Sequence, residues 1–88
     1  MAYYKKVLRN TVSAINKCYE KNYNEVDVRR IRSCNSIPAS DRSKIVFISR
    51  ALEDLKECGY LKYLGRNSPK KYEILSEIDL KKVLEEIE

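Results

Sequence analysis

The 88-residue chain has no histidine, tryptophan or glutamine, and only two glycines, two prolines and three cysteines. Without histidine the usual general base of hydrolases and nucleases is missing, and a zinc ion would have to rely on distant carboxylates. Gly59 and Gly65 stand alone, so there is no glycine-rich phosphate loop. Cys18, Cys34 and Cys58 form no C-x-x-C pair. Their odd number reads as reduced thiols packed as small hydrophobes, the alternative being one disulfide with a thiol left over. No apolar run approaches the ~18 residues of a membrane span. No signal-like segment precedes the first helix either, because Lys5-Lys6 leads into Val7-Leu8-Arg9-Asn10. These absences argue against an enzyme, a metal centre, a cofactor site and a membrane protein, and they favour a cytoplasmic binding domain.

What is present is charge. Charged residues make up 35% of the chain and hydrophobic residues 43%, with a net charge of +5. The first 50 residues hold 11 basic and 4 acidic side chains, whereas residues 77–88 hold 2 and 5. A basic body with an acidic end suits a polyanion on one face only. Lys, Glu, Ile and Tyr are abundant, as in proteins from hot environments.

Apolar periodicity predicts four helices and a hairpin in one domain spanning 1–88. Tyr4, Leu8, Val12, Ile15 and Tyr19 form one face of a helix over about 3–21. An adjacent stripe of Tyr3, Val7, Ala14 and Cys18 widens its apolar arc enough for two interfaces. Val26 is a short extended lead-in, and Asp27 caps a second helix over about 27–35. Asn35-Ser36-Ile37-Pro38 breaks that helix. Ser40 is the expected N-cap of a third, over about 41–58, with Ile45, Ile48, Leu52 and Leu55 inward and Gly59 as its left-handed cap. Phe47 is expected to pack beneath the second helix. Leu61 and Tyr63 alternate against Tyr72 and Ile74 in a hairpin over about 60–75, with Gly65, Asn67, Ser68 and Pro69 as the turn. Ser76-x-x-Asp79 reads as a capping box for a last helix over about 77–87, with Leu80, Val83, Leu84 and Ile87 on its apolar side.

From Lys62 to Lys71 the hairpin carries Lys62, Arg66, Lys70 and Lys71 and no acid. Clustering like charges on one finger costs stability, and neutralising phosphates would offset that cost by releasing counterions.

The run "VDVRRIRSCNSIPASDRSKIVFISRALEDLKECGYLKYLGRNSPKKYEIL", residues 26–75, resembles a winged helix-turn-helix DNA-binding domain. Its most telling part is "ALEDLKECGYLKYL", which is similar to the family's passage from recognition helix into wing. The resemblance implies an α+β fold: a three-helix core, a two-stranded β-hairpin wing and a C-terminal helix. It also implies that the third helix enters a major groove by its N-terminal half, offering Arg42, Ser43, Lys44 and Arg50. The hairpin would then be the wing, with Arg66 in a minor groove and Lys62, Lys70 and Lys71 on phosphates. Arg29 and Arg30 of the second helix extend the footprint, although helical spacing lets at most two of Arg29, Arg30 and Arg32 face DNA together.

The expected partner is therefore double-stranded DNA, and the expected role a transcriptional regulator. The spare arc of the first helix suggests a homodimer through Tyr3, Val7, Leu84 and Ile87, the alternative being a monomer in which that arc packs against the last helix. Val46 outward on the third helix, with Glu53 and Glu57 behind it, supports the alternative of a protein-interaction accessory subunit of a replication or transcription complex.

Overall fold

The structure is a computed structural model that describes residues 2–67 and 70–87, the side chains of Ala2, Tyr3, Arg66, Asn67 and Ile87 excepted. Expectations for Tyr3, Arg66 and Ile87 as contact residues, and for Ser68 and Pro69 as turn formers, therefore lie outside what is described. Seven elements follow in order: α1 (Ala2–Glu20), β1 (Glu25–Val26), α2 (Val28–Cys34), α3 (Arg42–Glu57), β2 (Leu61–Asn67), β3 (Lys70–Ile74) and α4 (Leu80–Ile87). The fold is α+β, with an antiparallel three-stranded sheet in the order β1-β3-β2. No described helix is long and apolar enough to cross a membrane.

Helix α1 is the axis of the core. Leu8, Val12, Ala14 and Ile15 are almost fully buried, and so is the polar Thr11 between them. One flank meets α2 and α3, and the other meets α4. The wide apolar arc is thus used inside the protomer. Val7, expected at a dimer contact, is only 5% exposed and belongs to the core, while Leu84 is half-buried. Tyr19, assigned above to the inward stripe, is instead exposed at the end of the helix.

Helices α1, α2 and α3 all stop in the same way. A residue with positive φ follows the last turn: Asn22 at 67°, Ser36 at 54° and Gly59 at 88°. The next amide then reaches back to the helix: Tyr23 N–H to Cys18, Ile37 N–H to Arg32 and Tyr60 N–H to Leu55. This paired closure satisfies carbonyls that would otherwise be orphaned. Glycine suits the left-handed position at no steric cost, asparagine tolerates it, and serine is strained there.

The helix starts differ from expectation in two places. Asp41, not Ser40, caps α3, accepting the Lys44 amide at 3.2 Å. Its full negative charge at the helix N-terminus favours it over a hydroxyl. Asp79, not Ser76, opens α4 and accepts the Lys81 amide at 3.0 Å. Just before it, the Asn16 side chain holds Ile78 on both sides. Its Nδ2 donates to the Ile78 carbonyl at 3.0 Å, and its Oδ1 accepts the Ile78 amide at 2.9 Å. Ile78 is thereby plugged into the core, where Val83 joins it.

In the sheet Leu61 lies opposite Ile74 and Tyr63 opposite Tyr72, as the alternation predicts. The two tyrosine rings meet at 5.6 Å between centroids. Val26 is more than a lead-in, because β1 pairs with β3 and puts Val26 opposite Tyr72. Gly65, expected in the turn, lies within β2 at φ 77°, where the register between Tyr63 and Asn67 shifts. A bulge of this kind needs a residue that adopts positive φ.

Two outcomes follow from these contacts. Ser36→Gly relieves the left-handed strain and should raise unfolding free energy by about 1 kcal/mol in urea titration. Asn16→Ala removes two hydrogen bonds and leaves the buried Ile78 backbone unpaired, which should cost about 2 kcal/mol and release α4 first in hydrogen exchange.

Candidate nucleic-acid interface

Helix α3 buries Ile48, Ala51, Leu52 and Leu55 and turns the opposite side to solvent. Arg42, Ser43, Val46, Ser49 and Arg50 are exposed on that side, and Val46 at 62% exposure marks its centre. Glu53 and Glu57 continue the same strip one and two turns later. Ser49 was not singled out from the sequence, though its step of three from Val46 places it there.

The acids of this helix are all engaged. Glu53 takes Lys56 at 3.1 Å and reaches across to Lys70 of β3 at 3.7 Å. The phenol of Tyr72 lies beside the Glu53 carboxylate, and each shifts the other's titration. The Lys56 hydrogen bond, helped by Tyr72 and Lys70, holds the Glu53 carboxyl below the usual range against the opposing effect of burial. Burial, with the Glu53 charge second, pushes Tyr72 up to about 12. Glu57 shares Lys56 at 3.6 Å. Asp54 accepts a hydrogen bond from the Tyr4 hydroxyl and lies 4.0 Å from Arg50. Burial and Asp54 together raise the Tyr4 pKa well above the ordinary phenol value.

Arg50 is therefore a braced side chain. Its guanidinium stacks over the Tyr4 ring at 4.6 Å while remaining exposed to solvent. Phe47 packs on the other partner of this group, 5.7 Å from Tyr4 between ring centroids. It faces α1, not the underside of α2, because its position is a quarter turn from the core stripe on the α1 side. Of this assembly only the i,i+4 spacing of Arg50 and Asp54 is visible in sequence.

The remaining candidates are spread over more than one face. Lys44 is half-buried, 3.8 Å from its own cap Asp41, and lines a groove with Lys6, Asn10, Asn35 and Ile37. It sits away from the outward strip of α3. Lys70 and Lys71 are adjacent in a strand and so point to opposite faces of the sheet. Lys70 is on the α3 side, at a groove with Val28, Ile45, Ser49 and Tyr72. Lys71 lines a cleft of about 340 Å³ on another side with Arg30, Asn22, Asn24, Glu25 and Asp27. Arg30 stacks over the Tyr23 ring at 4.5 Å. Arg29 is exposed on α2, at a further shallow site with Ser33. Lys62 is exposed but lies directly across the ladder from Glu73, which in turn faces Glu25. The finger that is free of acid in sequence is thus flanked by carboxylates in space.

No protein-family model matches the chain, and no curated protein or solved structure matches it significantly.

The Glu53 junction carries a pH dependence with a definite sign. A carboxyl whose folded pKa is lowered contributes stability above the ordinary glutamate range and loses it as pH falls through the lowered value. The Tm difference between the parent chain and Glu53→Gln should be largest at neutral pH and vanish once acid has protonated Glu53. A difference that persists unchanged into acid would show that charge pairing is not its source.

Proposed function

We propose that this chain is a winged-helix DNA-binding domain that presents the first half of α3 to a major groove. The observation that carries the reading is the sorting of charge along α3. Its outward strip begins with Arg42, Ser43, Val46, Ser49 and Arg50, without an acid, while Glu53, Asp54 and Glu57 behind it are bound to cations or phenols. A helix with such polarity suits insertion by its N-terminal half, where helix-turn-helix proteins meet base edges. The element order helix, strand, helix, helix, strand, strand supports it, as does the resemblance of residues 26–75. In this reading Arg42 and Arg29 neutralise phosphates on either side of the groove. Arg50, braced by Tyr4 and Asp54, is presented to a base edge, a role that rewards a fixed guanidinium plane. The role best matched by these features is a transcriptional regulator.

One observation favours a second reading. Val46 at the centre of the strip is 62% exposed, beside a groove lined by Val28, Ile45 and Leu52. An apolar centre with a charged rim also suits a protein partner, as in an accessory subunit of a nucleic-acid machine.

Fluorescence anisotropy of a labelled random duplex, titrated at several salt concentrations, separates the two. The DNA reading expects a log–log salt slope worth several phosphates, reduced by about 2 in an Arg29→Ala/Arg42→Ala double variant. Lys62→Ala, with Glu73 opposite, should leave the slope nearly unchanged. A folded protein that fails to bind at low salt would exclude the DNA reading and leave the protein partner.

A further inference from the structure

The outward strip of α3 has an uneven profile. Val46, 62% exposed, stands at its centre, one turn from Arg42 on one side and from Arg50 on the other. Ser43 and Ser49, three residues to either side, are exposed and short, so the valine stands above its immediate neighbours. The Val46 side chain has no polar atom to meet a phosphate, and its methyl groups gain only by touching other apolar atoms. Arg50 differs in kind. Its guanidinium stacks over the Tyr4 ring at 4.6 Å, and its Nε lies 4.0 Å from the Asp54 carboxylate, one turn further along the helix. The strip therefore presents one apolar probe and one braced fork of donors, a helical turn apart.

We propose that Val46 selects thymine through its 5-methyl group, while Arg50 takes a guanine about two to three base pairs away. This rests on the reading of α3 as the helix that enters the major groove, and names the bases that helix selects. Thymine is the one unmodified base with a methyl group in the major groove. Guanine offers the paired N7 and O6 acceptors that suit a guanidinium. The spacing follows from the two helical repeats. Four residues of α-helix advance about 6 Å, and B-DNA advances about 3.4 Å per base pair. A helix lying along the groove thus sets the two side chains about two steps apart, and the lean of Arg50 toward Asp54 extends this toward three. The short Ser43 and Ser49 let the helix approach closely enough for a valine to reach a base edge. Cytosine, whose N4 amine calls for an acceptor, is not served here. The next acid along the strip, Glu53, is held by Lys56 at 3.1 Å and Lys70 at 3.7 Å.

The test starts with the full chain and a randomised duplex library, from which the best-bound sites are enriched. The expected site holds a thymine and a guanine about two to three base pairs apart. Replacing that thymine by deoxyuridine removes only the methyl group. It should weaken binding about four-fold, the factor for burying one methyl-sized group. In Val46→Ser, a change at an exposed site that leaves the core intact, the same replacement should have no effect. Arg50→Lys keeps the charge without the fork and should relax the preference at the guanine alone. Enriched sites without that pair would overturn the proposal. So would a deoxyuridine effect that is absent from the parent chain or unchanged in Val46→Ser. Salt-dependent duplex binding with no site enriched would overturn it too, and leave the DNA reading standing. A folded chain that binds no duplex would remove both.

Discussion

Helix α1 has to bury two adjacent faces at once, and the rest of the chain is arranged by that demand. An amphipathic helix in a small domain ordinarily covers one apolar stripe. Here Leu8, Val12 and Ile15, widened by Val7, Ala14 and Cys18, leave an arc too broad for one neighbour. Helices α2 and α3 take one flank, and Ile78, Val83 and α4 take the other. Asn16 marks the boundary between these flanks. It accepts and donates to the Ile78 backbone, so a chain that must cross an apolar edge does so without an unpaired peptide group. The same arrangement fixes which side of α3 is left for solvent, and with it the position of Arg42, Val46 and Arg50.

Charge is the second organising factor, and it behaves differently along the chain and in space. The basic hairpin has no acid over ten residues, yet its lysines are not equivalent. Lys62 lies across the ladder from Glu73, and Lys70 is 3.7 Å from Glu53 of α3. Glu53 thus ties the hairpin to the helix through Lys70 and Tyr72 together. The clustering of positive charge is offset partly by these internal partners, and less of it remains for a polyanion than the sequence suggests. Arg29 of α2 and Arg42 at the start of α3 are exposed cations outside the hairpin.

Elements governed by local periodicity were legible in the sequence. The spacing of Leu8, Val12 and Ile15, the alternation of Leu61 and Tyr63 against Tyr72 and Ile74, and the Gly59 cap all reappear in the structure. Features that depend on long-range partners were not. Nothing in the neighbourhood of Asn16 points to Ile78, 62 residues away, nor does Tyr4 point to Asp54 and Arg50. Val26 looked like a lead-in because a two-residue strand has no periodicity of its own. Ser40 and Asp41 are both good caps, and only the geometry of the turn after Pro38 selects between them. In the candidate interface, residue type was readable and facing was not: Lys44 and Lys71 are cations that point elsewhere.

In the proposed reading, the outward strip of α3 and the exposed arginine of α2 are the surface that meets DNA. Titration of a short duplex into isotopically labelled protein, followed by amide chemical-shift mapping, tests it residue by residue. The largest shifts are expected at residues 42–50, with a second group around Arg29 and little change over α4. Shifts centred on α4 and the end of α1, with residues 42–50 unmoved, would contradict it.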